Sequence, residues 1–217
     1  MTKNINYSAI APFYDTYIRD RTDIDFWLKK CVAKGGKVLE LMCGTGRVGV
    51  PLLQNGVDIY GIDFSAKMIG ELYKKIEDAD KKRFTTADVR NFRLPNQFDM
   101  IFLPYQSFSE LISDEDKTAT LKSVNHHLKR DGIFIFSIFN PSTSRHYFNG
   151  KPQFLGKHRT PDGFTFQVFG KSSFDPGKNL ITGYQKFETL SRNQVVRTIK
   201  VPFKYHLMAL DVVSKIS

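Results

Sequence analysis

Between Lys37 and Phe139 apolar residues come in short runs, set apart by stretches with helical spacing. Runs near 37–41, 57–62, 83–87, 98–103 and 132–139 have the length and the Val/Ile/Leu/Phe content of buried strands. Between them, segments near 47–55, 65–79 and 114–129 read as helices, with apolar positions three and four apart. Ser65 and Asp114 predict N-caps, Lys129-Arg130 suits the end of the helix over 114–129, and Asp131-Gly132 predicts a turn into the fifth strand. Strands alternating with helices imply βαβ units: an α/β, Rossmann-like, mostly parallel sheet with flanking helices.

The flanks follow other rules. Within residues 1–36 the spacing of Phe13 and Tyr17, and of Ile24, Trp27 and Leu28, suits amphipathic helices, an N-terminal helical cap to the domain at 37–140. After Asn140-Pro141 comes a basic, irregular stretch to about 162. From Gly163 onward Phe164, Phe166 and Val168 alternate with polar neighbours, Asp175-Pro176-Gly177 marks a turn, and strand-like runs follow near 180–190 and 194–208. The segment 141–217 thus reads as a substrate-side loop and a C-terminal antiparallel β meander.

At 217 residues, with 41% hydrophobic and 25% charged side chains, the chain has the makings of a substantial core. Its polar N-terminus lacks a signal-peptide core, and no apolar run is long enough to span a bilayer, so no membrane partner is expected. Two cysteines, Cys31 and Cys43, argue against a disulfide framework or a zinc cage, and no metal-ligand spacing is present. A reducing, cytoplasmic location follows. The net charge of +10 raises the prospect of an anionic partner such as RNA. Its clusters, Lys29-Lys30, Lys74-Lys75, Lys81-Lys82-Arg83 and Lys129-Arg130, lie far apart in sequence and read as solvated helix ends and loops.

Three predicted strands each deliver a carboxylate near one end: Glu40, Asp63 and Asp88. In an open α/β sheet the C-terminal strand ends are where ligands bind. The turn Gly44-Thr45-Gly46 lets backbone approach a ligand closely, and Gly44, Gly46 and Gly49 also satisfy the dinucleotide fingerprint. Asp63 is placed to accept from both hydroxyls of a ribose, a feature shared with NAD sites. Glu40 separates the two ligand types, because a diphosphate has no use for an acid beside it whereas an ammonium or sulfonium does. Asp88 suits an adenine amino group, with Val89 beside the ring. S-adenosylmethionine carries all the matching parts.

The segment Val38 to Asp63 resembles motifs I and post-I of class I S-adenosylmethionine-dependent methyltransferases. Ala87-Asp88-Val89-Arg90-Asn91-Phe92 resembles their adenine-binding motif, Phe98-Asp99-Met100-Ile101-Phe102-Leu103-Pro104 their motif IV, and Leu128 to Phe134 the turn before strand five. The resemblance covers about residues 7–140. It implies that Gly44 and Gly46 line the methionine moiety, that Asp63 binds ribose, that Phe64 and Met68 border the adenine and that Asp88 takes its amino group, with Glu40, Cys43, Thr45, Ser65, Val89 and Leu103 as further candidate cofactor contacts. Tyr7, Tyr14 and Arg19 would close over the cofactor, which leaves as S-adenosylhomocysteine. Cys43 suits a small contact residue rather than a nucleophile, since no base adjoins it. His126-His127, late in a helix, reads as dipole interaction and exposure.

Methyl transfer from a sulfonium needs orientation and a dry pocket more than a catalytic triad. No catalytic base is evident; Tyr105, His146 and Tyr147 are the candidates for substrate contact or proton transfer. Leu103 with a single proline replaces the Asn/Asp-Pro-Pro-Tyr/Phe of base-modifying methyltransferases, which favours a small-molecule N or O acceptor over RNA. The motifs also admit a non-catalytic S-adenosylmethionine-binding protein or an NAD-linked oxidoreductase; Glu40 and the lack of a downstream Tyr-x-x-x-Lys disfavour the latter. In the relatives it resembles, a helix and two strands follow such a β insertion. Residues 209–217 are too few for them, so either the meander supplies the last strands or a sheet edge stays open to a homodimer partner through the C-terminal β region.

Overall fold

A computed structural model describes residues 5–139 and 148–208 of the chain. The described residues form two compact units. One takes Ile18–Phe108 and Ser113–Ser137; the other takes the chain up to Tyr17, Ser109–Ile112 and the chain from Ile138.

The first unit is a five-stranded parallel sheet in the order β3-β2-β1-β4-β5. Its strands are β1 (Val38–Leu41), β2 (Ile59–Asp63), β3 (Phe84–Thr86), β4 (Phe98–Leu103) and β5 (Leu128–Phe136). The order reverses at β1, which pairs in parallel with β2 on one side and β4 on the other. That reversal opens a crevice beyond the C-terminal ends of the two central strands. Helices α2 (Ile24–Lys34), α3 (Gly49–Gln54), α4 (Ala66–Tyr73) and α5 (Asp114–His127) flank the sheet. Val38, Leu39 and Leu41 are fully buried, as a central parallel strand requires. Trp27 of α2 stacks on Phe102 of β4 with ring centroids 4.8 Å apart.

Several expected boundaries move. The N-cap of α5 is Ser113, which accepts the Asp116 N–H at 3.1 Å, so Asp114 is the first helical residue. Asp131-Gly132 lies inside β5, in a bulge between the Phe98–Leu128 and Met100–Ile133 pairs. The fifth strand therefore begins four residues earlier than the apolar run, and Lys129-Arg130 belong to it rather than to the helix.

The second unit is a four-stranded antiparallel sheet in the order β6-β7-β8-β9: β6 (Gln153–Arg159), β7 (Thr165–Asp175), β8 (Leu180–Ser191) and β9 (Gln194–His206). The meander is thus a sheet of its own and adds no strand to the parallel one. Its first strand lies in the stretch read as irregular. The 1–36 cap also divides. Ile10, Phe13, Tyr14 and Tyr17, in and beside helix α1 (Ala11–Tyr17), pack with Phe166, Val168 and Phe187 of the antiparallel sheet, whereas α2 packs into the parallel-sheet core. Apolar partners, not sequence proximity, decide the split. No described helix is long and apolar enough to cross a membrane.

Candidate functional site

The chain leaves β1 through a turn built from left-handed residues, with φ of 53° at Met42, 57° at Gly44 and 80° at Gly46. A Cβ at Gly46 would come 2.6 Å from Val50 Cγ2, so only glycine lets α3 start there. The Gly44 N–H donates to Asp63 Oδ2 at 2.9 Å, and the Ser65 N–H donates to Asp63 Oδ1 at 2.7 Å. Two backbone donors thereby aim the Asp63 carboxylate at the end of β2 and leave each oxygen a further lone pair. Burial pushes its pKa up, against the pull of those two donors. Ser65 caps α4 through the Met68 N–H at 3.3 Å; Met68 is buried and Phe64 exposed. Cys43 and Thr45 are buried in the turn, and burial first, then Glu40 and Asp63, raise the Cys43 thiol far above its usual range. Such a thiol is inert, in keeping with a packing role.

Glu40 lies beneath this turn, 2% exposed. Gly49 donates a backbone hydrogen bond to it, yet Glu40 Oε2 has no hydrogen-bond partner among the described residues. A Cβ at Gly49 would sit 2.5 Å from that oxygen. Burial dominates and pushes the carboxyl up to about 8, with Arg47 and Gly49 pulling the other way. A buried acid without a full set of partners is costly, and its presence points to a cationic ligand group.

Arg47, two residues before Gly49, escaped the sequence reading. Its buried guanidinium donates to both carboxylate oxygens of Asp23, at 2.5 and 2.7 Å, and to the Asp20 carbonyl at 3.2 Å. It also lies over the Tyr105 ring, 4.4 Å from the centroid. The missed signal was a basic residue inside a glycine turn that leads into a buried helix. Such a cation must find an acid, and Asp23 begins α2. The bridge anchors the segment that follows the exposed Arg19. Tyr105 and Gln106 are both left-handed, φ 57°, a strained pair held by the Gln106 N–H donating to Ser137 Oγ at 2.8 Å. Burial raises the Tyr105 pKa, so it is a phenol donor rather than a base. Leu103, fully buried, ends β4 immediately before this loop.

Asp88 is not a free acceptor. Arg90 grips it through its backbone N–H (3.0 Å), Nε (2.9 Å) and a terminal nitrogen (2.6 Å), and reaches Asp116 of α5 with the other at 2.9 Å. Those hydrogen bonds hold its carboxyl below the usual range. Roughly one of its four lone-pair positions remains for a ligand. Val89 and Phe92 are buried beside it. His127, expected to be exposed, is buried: it stacks on Phe92 with centroids 4.3 Å apart. Its Nε2 accepts the Leu94 N–H at 3.1 Å, and Nδ1 lies 2.7 Å from the Ser123 carbonyl. One nitrogen accepts and the other donates, which fixes a neutral ring; burial lowers its pKa. Only His126 is exposed.

Tyr7 and Tyr14 belong to the other unit, where the Tyr7 hydroxyl donates to Glu110 at 2.8 Å and Tyr14 packs edge-on against Tyr7. His146 and Tyr147 lie outside the described residues. Among the described residues no group of three His, Cys, Asp or Glu side chains gathers as for a metal ion.

A glycine turn beside a switch in strand order, with one acid beneath it and a second aimed from the next strand, is the arrangement of a ligand crevice in a doubly wound α/β protein. Residues 38–132 match the family described as "Methyltransferase domain". The chain is 30% identical over 135 residues to the putative methyltransferase YqeM of Bacillus subtilis (strain 168), covering 61% of this chain and 55% of that protein. It is 32% identical over 126 residues to the glycine/sarcosine N-methyltransferase of Aphanothece halophytica, covering 55% and 46%. Its fold is similar to that of the sugar N-methyltransferase KedS8 from Streptoalloteichus sp ATCC 53650, with a TM-score of 0.78 at 15% identity, over 100% of this chain and 84% of that one. Through residues 38–132 the chain is thus similar to class I S-adenosylmethionine-dependent methyltransferases. It spans about half the length of the curated relatives it matches.

Proposed function

We propose that this protein binds S-adenosylmethionine at the glycine turn and transfers its methyl group to a nitrogen or oxygen of a small-molecule acceptor. The observation that carries the reading is the buried Glu40 carboxylate, whose Oε2 lacks a hydrogen-bond partner among the described residues. A ligand bearing an ammonium or a sulfonium supplies the missing charge; a dinucleotide diphosphate would add a second anion. The chain's residues fit the cofactor in its other parts. Gly44, where an added Cβ would meet only Met68 and Asp63, leaves the turn open to the amino-acid end, Asp63 presents spare lone pairs to a ribose diol, and Asp88 keeps about one acceptor position for an exocyclic amine. When bound, the cofactor supplies an activated methyl group on sulfur. The protein's part is orientation and exclusion of water, with Tyr105 offering a phenol O–H beside the site. The glycine/sarcosine and sugar N-methyltransferases among its relatives and structural neighbours support an amine-bearing acceptor.

Calorimetry with S-adenosylmethionine, S-adenosylhomocysteine and NAD tests the reading. Both sulfur compounds bind and NAD does not; NAD binding alone would refute it. Asp63→Ala weakens S-adenosylhomocysteine more than tenfold, because a doubly oriented charged acceptor is lost.

A further inference from the structure

The pairing register of the antiparallel sheet sorts its side chains by face. Phe166, Val168, Ile181, Phe187, Ile199 and Val201 alternate onto one face, all buried or packed into the apolar cluster. The other face collects Lys157, Arg159, Lys171, Lys186, Lys200 and Lys204. Two acids share it. Glu188 is tied to Lys186 at 2.6 Å and accepts from Gln167 at 2.8 Å. Asp175 sits at the hairpin end and caps the turn through the Gly177 and Lys178 N–H groups.

The cations are interleaved with rings. One rung across the sheet runs Phe154, Phe169, Lys186, Lys200, and the next runs Lys171, Tyr184, Pro202. Lys186 and Lys200 face each other directly, an arrangement that destabilises a sheet unless something offsets the repulsion. Each ammonium rests over a ring, Lys186 Nζ 4.7 Å from the Phe169 centroid and Lys200 Nζ 3.9 Å from that of Tyr184. Phe154 is 59% exposed and packs against Phe169 at 5.3 Å. Along the chain this unit's segments hold thirteen Lys and Arg against six Asp and Glu.

We propose that this face binds single-stranded RNA, phosphates on the lysines and bases on the Phe154, Phe169 and Tyr184 rings. A four-stranded sheet with one exposed ring, Phe154, beside the half-buried Phe169 and Tyr184 offers a stacking platform for splayed bases. The surrounding cations supply the counterion-release term that drives backbone binding. Breadth favours a polymer over a small anion, and the rings favour nucleic acid over an anionic lipid surface. The inference is independent of which acceptor is methylated.

The test is fluorescence anisotropy of the full chain with a labelled oligouridylate of about 15 nucleotides, between about 50 and 200 mM salt. Lys186→Gln/Lys200→Gln should weaken binding at least about tenfold and shallow the log K against log salt slope by about 1.4, the value for two single-strand phosphate contacts. Phe169→Ala, which keeps every charge, should weaken it at least about fivefold. An unchanged far-ultraviolet circular dichroism spectrum and thermal transition in each variant show that the chain, its antiparallel sheet included, is still folded. Three outcomes overturn the proposal. One is no binding at the lower salt. Another is an equal loss from Lys75→Gln/Lys82→Gln in the other unit, which marks general charge attraction. The last is phosphatidylserine vesicles competing fully with the oligonucleotide while Phe169→Ala changes nothing, which marks a membrane surface.

Discussion

The two sheets answer their positive charge in different ways. In the parallel unit guanidinium groups meet carboxylates, some local and some from other segments: Arg47 on Asp23, Arg83 on Asp58 and Asp80, Arg90 on Asp88 and Asp116. The Arg47 and Arg90 bridges fix the starts of α2 and α5 at the C-terminal side of the sheet, and the Arg83 bridges lie at its other end, before β2 and β3. In the antiparallel unit Lys200 lies over the Tyr184 ring, while Lys186 lies over Phe169 and also pairs with Glu188 at 2.6 Å. A paired cation defines local geometry, whereas a cation on a ring is available to a partner. The first unit is built to hold its own loops in place; the second presents a surface.

The sharpest way to break this contrast is Arg47→Ala. It strands the Asp23 carboxylate and removes the cation nearest the buried Glu40, so denaturant unfolding should show a loss of about 3 kcal/mol. Glu40→Gln comes next. The native carboxyl, pushed up to about 8 from an ordinary 4.5, holds a proton through that window which the unfolded chain has already released. Stability from this group therefore falls as pH rises from about 4.5 to 8, and Glu40→Gln flattens the fall, gaining on the order of 2 kcal/mol at pH 8. The same group predicts proton release when S-adenosylhomocysteine binds near pH 7, read by calorimetry in buffers of different ionisation enthalpy and absent in Glu40→Gln. Asp23 and Asp88, held below the usual range, act with the opposite sign and lose their contribution as pH falls through their native values. The smallest effect belongs to the other sheet: Lys186→Ala should stay within about 0.5 kcal/mol of wild type, because losing the Glu188 pair is offset by relief of repulsion from Lys200.

Much of the first unit was written in contiguous segments. Glu40, the glycine turn, Asp63 and Ser65 lie within 26 residues of chain, and the turn chemistry is tightly constrained. What was not legible depends on pairing across distance. Arg47 finds Asp23 only after α2 docks, and the Arg90 that grips Asp88 meets Asp116 only once α5 is in place. His127 read as a surface residue because α5 has a polar composition; its burial comes from Phe92 in a different segment. Strand β6 was hidden by its content: Lys157, Arg159 and Gly156 suit an exposed, bulged edge strand and carry no apolar alternation. The lysine face was invisible for the same reason. Residues spaced by two along separate strands become neighbours only once the register is known.

The central place of β1 has a consequence for synthesis. Its hydrogen-bonding partners are Ile59–Ile62 on one side and Met100–Phe102 on the other. The nine residues of the strand and glycine turn, Val38 to Gly46, leave the ribosome long before the second partner does. Until the chain has grown past Leu103, β1 is an open edge and the acid beneath the turn faces water. The crevice beyond β1 is therefore complete only when strands from both later segments have docked beside it.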